Sequence, residues 1–372
     1  MLQDRLIHEP PGSAVFQVWG DELLQAGDPR GELVQLSRQP RTPEVRAALD
    51  ALLTQHPEWT LGCQAWFSLE LRDGFIDALV MHEGQALSGL GSPEGYTAEP
   101  ELPILRDPMT ARLRRFTVDT LLSAEGNHGC WGSQTSTLEA LTSQPRPWLR
   151  TVEFDRWMMT EPLDEASGRA RLSHALKGVM HEAEVSFTGL SRLWKLAPRL
   201  EHLVVAQGLE TELGHVQAPH LRTLCLGLMS VGLWQLDALA DAVLPELTWL
   251  ELRLQREPWR NERIDAQAVW RMLNNRSFGK LEHLALLGTG PSRDAGDEVL
   301  AALARWPRLS QLRSLDLGGL EATPQAWRAL VDARPSLERV WVSRNVVRDP
   351  EWLEAVLPVE WRKPEATELA DG

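Results

Sequence analysis

Histidine, cysteine and closely spaced glycines build most active sites, and this chain places several of them suggestively. His128 and Cys130 lie two apart in "GNHGCWGSQ" (126–134). A thiol nucleophile needs a base within hydrogen-bond reach and a third group that orients the base. The neighbouring residues offer no such third group, so a cysteine hydrolase using Cys130 and His128 is the weakest reading. Gly288 and Gly290 in "LLGTGPSRDAGDE" (286–298) follow a strand-like run and precede a helix-like one, as in a dinucleotide loop. The third glycine is missing, and Pro291 removes an amide that would face phosphate, so a connecting loop is the simpler reading. His202 and His283 share an "LEHL" setting. Three strand steps of about 4.7 Å would separate them by about 14 Å, against about 2.0 Å for a zinc–nitrogen bond, so they share no ion. No HExxH, CxxC, GxSxG or Walker loop occurs. The expectation is a protein with no catalytic residues, no metal ligands and no cofactor.

Near the start, "WGDELLQAGDPRGELVQLSRQP" (19–40) crowds charge and turn residues together. A phosphate-cradling loop would need a glycine-rich turn between a strand and a helix, but the residues before Gly27 have helical spacing. Gly27 suits a helix C-terminus in the left-handed region. Asp28 can cap a second helix with Pro29 at its first position. Thr42-Pro43-Glu44 repeats that logic ahead of Val45, Ala48, Leu49, Leu52 and Leu53. A three-helix unit over roughly residues 1–60 is expected.

The rest of the chain repeats itself. The pattern apolar-x-x-apolar-x-apolar recurs at 76–81, 113–118, 149–154, 200–205, 221–226, 247–252, 281–286, 312–317 and 337–342, with a weak copy at 182–187. Each copy alternates like a strand with one apolar side. Helix-like stretches lie between them, at 233–245, 265–275, 297–307 and 323–335, and several end at a proline. One such unit cannot bury its apolar face alone, but stacked units can.

These residues resemble a leucine-rich repeat protein over about residues 70–357. The resemblance implies an α/β solenoid with a parallel sheet on the concave side and helices on the convex side. The family's strand-end asparagine is present only as Asn345; Trp157, Gly208, Met229, Gln255, Thr289 and Leu320 hold the equivalent positions. "WGDELLQAGDPRGELVQLS", "HPEW" (56–59) and "LRDGFIDALVM" (71–81) resemble the bacterial repeat-companion domain, found N-terminal to leucine-rich repeats in myxobacteria and planctomycetes. That implies a helical companion domain over 1–69, the solenoid over 70–357 and a tail over 358–372. The companion family implies no reaction.

Composition narrows the partner. The net charge is −14, with no run of five basic residues. This speaks against nucleic acid, and a partner with a basic surface is electrostatically easier. Three cysteines without a CxxC fit a reducing, cytoplasmic setting. Neither a secretory signal nor a run of eighteen apolar residues appears, so no membrane is expected. In the repeats, the side chains alternating with the inward apolars should face the concave side. They include Asp119, Glu153, Asp155, His202, Trp249, Glu251, Arg253, His283, Asp316, Arg339 and Trp341. This face is expected to bind another protein, with the chain a monomer on its own. The alternative is an inhibitor or immunity protein that occludes an enzyme or toxin. Trp234, Trp270, Trp306 and Trp327 are expected to pack in the convex layer.

Overall fold

The computed structural model of the chain describes residues 6–60, 67–82, 103–119, 134–154, 159–166, 169–172, 186–187, 189–208, 210–228, 233–255, 266–289, 293–333, 335–343, 347 and 350–362. The chain forms two compact units. One comprises Met1–Gly132, Ser136–Val152 and Leu196–Arg199; the other comprises Ser133–Thr135, Glu153–Lys195 and Leu200–Gly372.

The first unit opens with the three expected helices, α1 (Ala14–Gln25), α2 (Arg30–Ser37) and α3 (Pro43–Gln55). Ser13 caps α1 by accepting from the Val15 amide, and Thr42 caps α3 by accepting from the Val45 amide. Gly27 ends the first helix at φ +71°, a conformation that side chains rarely adopt. Asp28 accepts from the Arg30 amide at 2.9 Å, one position off the expected register of cap and proline. Leu6, Phe16, Trp19, Val34 and Phe75 form a core cluster, in which the Trp19 ring stacks on Phe75 at 5.6 Å. Phe75 belongs to a hairpin, β1 (Phe67–Arg72) and β2 (Phe75–His82), whose turn is Asp73-Gly74. The helical module therefore shares its core with strands beyond residue 69. Strand β3 (Arg115–Asp119) pairs in parallel with β2, and β4 (Thr151–Phe154) follows β3 in the sheet order. Helices α4 (Pro103–Arg106) and α5 (Gln134–Leu141) and two short 3-10 helices, Pro57–Trp59 and Pro108–Thr110, complete the described elements of the region.

In the second unit the remaining copies of the repeat form parallel strands that stack in chain order. These are β8 (His202–Gly208), β10 (Thr223–Leu228), β11 (Trp249–Gln255), β12 (His283–Thr289), β13 (Ser314–Asp316) and β14 (Arg339–Ser343). A further strand, β15 (Val359–Arg362), pairs in parallel with β14, inside the stretch expected to be a tail. Before them come α6 (Leu190–Leu196) and two small sheets. The hairpin β5 (Met159–Asp164) with β6 (Arg169–Leu172) forms one; β7 (Ser186–Phe187) with β9 (Glu210–Thr211) forms the other. The weak repeat copy at 182–187 thus ends in a strand outside the main stack. Helices α7 (Leu233–Ala240), α8 (Ala266–Leu273), α9 (Arg293–Arg305), α10 (Pro324–Asp332) and α11 (Pro350–Val356) alternate with the strands. Four of them fall where the sequence places helices.

Apolar alternation makes the core. Leu203, Leu224, Leu250, Leu284, Leu315 and Val340 occupy one register row and are buried, each contributing roughly 1.5–3 kcal/mol. Trp306 and Trp327 are buried with them, as expected, but Trp234 is 72% exposed. Trp234 therefore does not pack in this core. No helix among the described residues is long and apolar enough to cross a membrane.

Candidate functional site: the polar face of the parallel sheet

Strand pairing places the polar side chains of the second unit in two register rows. The first runs His202, Thr223, Trp249, His283, Ser314, Arg339. The second runs Val204, Cys225, Glu251, Ala285, Asp316, Trp341, Glu360. Alternation along each strand turns these away from the leucine rows. The sequence thus brings most of the expected face together.

Neighbours within the first row bind each other. His202 Nδ1 lies 3.0 Å from Thr223 Oγ1, and His283 Nδ1 lies 2.5 Å from Ser314 Oγ. The Trp249 and His283 rings stack at 3.4 Å, and Trp341 meets His283 edge-on at 5.9 Å. At the far end the Trp341 indole N–H donates to Glu360 at 2.7 Å, and the Arg339 guanidinium lies 5.8 Å from the Trp341 ring. His202 and His283 sit on strands three steps apart, as the sequence requires.

Exposure along the rows changes abruptly. Glu251, Arg253 and Asp316 are fully enclosed, and Glu153, His202 and His283 nearly so. Trp249 and Trp341 are 8% and 9% exposed. Only Arg339, among the expected binding residues described in this unit, is exposed, with Glu360 beside it. Most of the face expected to bind a partner is therefore enclosed. Strand β6 lies close to β10 and β11, the strands in the middle of this stretch of sheet. Asp155 lies outside the described residues, as do Cys130 and His128. Asp119 ends β3 in the first unit.

Burial also fixes the electrostatics. Enclosure pushes the Cys225 thiol well above its usual value, and the neighbouring Glu251 and Glu153 push the same way against the Trp249 indole N–H. A thiol so held is protonated at neutral pH, the opposite of an activated nucleophile. Burial pulls His202 below its ordinary value, opposed by Glu201 and Glu165 and assisted by Arg222. Among the described residues no group of three or more metal-ligating side chains is placed to hold an ion.

Gly288, singled out as part of a possible dinucleotide loop, has a packing reason instead. A Cβ at this position would lie 2.5 Å from the Gly319 carbonyl oxygen, so only glycine permits the approach of adjacent strand ends. Sequence reasoning missed Glu360. Its signal was the short alternation Val359-Glu360-Trp361-Arg362 after Pro358, too brief to show the repeat pattern.

No family model matches the chain, and no curated protein matches it. Among solved structures the chain is similar to the crystal structure of a Bacteroides fragilis protein from the Northeast Structural Genomics Consortium. The two share 13% identity with a TM-score of 0.53, over 86% of this chain and 82% of that one. At this identity the likeness shows an α/β fold with a mostly parallel sheet, and nothing of activity.

Proposed function

We propose that the chain is a non-enzymatic leucine-rich repeat protein with an N-terminal repeat-companion module, and that it binds a partner protein at the β14–β15 end of its polar face. The observation that carries this reading is the change in exposure along one continuous pair of rows. From β8 to β13 the polar side chains of the rows are buried, apart from the half-buried Ser314, whereas at β14 and β15 Arg339 and Glu360 are exposed near Trp341. An aromatic side chain framed by charges of both signs is the composition of an interface hot spot. The net charge of −14 favours a partner with a basic surface. In-order stacking of strand–helix units supports the repeat reading, and the α1–α2 turn at "GDPRGE" supports the companion module.

The test begins with affinity capture of a partner by the full chain, followed by titration of the purified partner. Arg339→Glu changes an exposed side chain and should leave the melting temperature unaltered; Glu360→Arg also removes the acceptor of the Trp341 indole N–H, so its binding is measured well below its own melting temperature. Each is expected to weaken binding about tenfold or more, corresponding to about 1.4 kcal/mol. Wild-type affinity in both variants would rule out this end of the sheet as the docking surface.

A further inference from the structure

We propose that a groove in the first unit, between the α2–α3 connection and the β1–β2 hairpin, binds a phosphomonoester group through Arg41 and Arg72. The groove encloses about 430 Å³, within the range of small-ligand sites. Its charged lining is Arg38, Arg41, Arg72, Glu70, Asp73 and Asp77.

Three cations against three anions looks balanced, but the pairing is not. Asp73 accepts from Arg38 at 2.7 Å and from the Gly12 amide at 2.8 Å. Asp77 is held through both oxygens by Arg114, at 2.6 and 2.8 Å. Glu70 accepts from Arg115 at 3.2 Å. Arg114 and Arg115 do not line the groove, so each of its three carboxylates already accepts from an arginine other than Arg41 and Arg72.

The surplus falls on two side chains. Arg41 donates to the Leu71 carbonyl and has no carboxylate within ion-pair distance among the described residues. Arg72 reaches Asp77 only at 3.8 Å, beyond hydrogen-bond range, and its side chain is 45% exposed. Two guanidinium forks from different elements can meet the three terminal oxygens of a phosphate; a carboxylate fills only one fork. The chain's overall negative charge opposes anion binding, but it acts across distances that salt screens beyond about 8 Å. The local surplus decides. This inference stands apart from the sheet-face reading and fails or holds independently of it.

The experiment titrates the full chain with inorganic phosphate at constant ionic strength and follows the arginine Nε–H resonances, assigned by Arg→Gln substitution. A saturable shift of Arg41 and Arg72 is expected, with Arg30, tied to Asp28, unmoved. Arg72→Gln should weaken binding about tenfold without changing the melting temperature, and the double variant with Arg41→Gln should abolish it. Acetate should act at least tenfold more weakly. Glycerol 3-phosphate and O-phosphoserine should shift the same resonances, and the tighter of the two tells a metabolite ester from a phosphorylated side chain. Equal effects of phosphate and acetate, or equal saturation in wild type and Arg72→Gln, would overturn the proposal in favour of general anion screening.

Discussion

The two units enclose charged side chains in different surroundings. In the first, Arg146 is fully buried and donates to main-chain oxygens: Leu141 at 3.0 Å, Thr110 at 2.5 Å, and Leu105, with the Thr110 hydroxyl at 2.9 Å. Burial lowers its pKa to about 10, so it remains charged at neutral pH and carbonyl dipoles carry the compensation. In the second unit Glu153, Glu251, Arg253 and Asp316 are enclosed on one face of the sheet, and Asp316 accepts from the Gly318 amide at 3.0 Å. Main-chain acceptors are fixed once the backbone folds, whereas the side chains of a sheet face are ordered by the register of their strands. The first arrangement therefore specifies a local chain path. The second gathers charged and aromatic side chains on one enclosed sheet face.

Removing the charge in the first unit should cost most. Arg146→Ala would leave the Leu105, Thr110 and Leu141 carbonyls without their buried donor, a loss on the order of 3–5 kcal/mol. Arg146→Lys should recover only part, because a single ammonium cannot reach carbonyls spread across three positions as a planar fork does. Urea denaturation of the three proteins measures this. A Lys variant as stable as wild type would mean that charge alone, and not the fork, is what the site needs.

Next comes the middle of the polar face. Trp249→Ala would remove the stack on His283 and the indole N–H beside Cys225, and should destabilise by about 3 kcal/mol. It should also make Cys225 label with a thiol reagent in the folded protein, since the cover over it is breached. If stability and labelling both stay at wild-type levels, the middle of the face is not closed as described.

Why the fold was legible and this closure was not follows from particular residues. Nine copies of one apolar pattern became strands because alternation and leucine burial act locally, and Gly27, Ser13 and Thr42 mark helix ends by their own chemistry. The β5–β6 hairpin has no such signature. Its sequences "MTEPLD" and "RARL" carry a proline and little apolar alternation, so nothing local announces a hairpin whose second strand packs close to β10 and β11. Helical spacing likewise cannot say that Trp234 points outward while Trp327 points inward. Arg41 and Arg72 are 31 positions apart and meet in one groove only through the tertiary fold.

The smallest expected effect concerns protons. Burial holds the His202 pKa below 6.5, its ordinary value, so the folded state favours the neutral ring that pairs with Thr223. Above pH 6.5 the ring is neutral folded or unfolded, and it adds no pH dependence. As the pH falls through 6.5 the unfolded chain takes up a proton that the folded chain resists, so stability declines until the folded pKa is passed, then levels. Comparing unfolding free energies at pH 7.5 and 5.5 should show wild type losing on the order of 1 kcal/mol more than His202→Gln. The carboxylates titrate in both proteins, which makes the difference between the two slopes the informative quantity. Identical slopes would mean that Glu201 and Glu165 offset burial, and that this end of the polar row tolerates charge as the exposed β14–β15 end does.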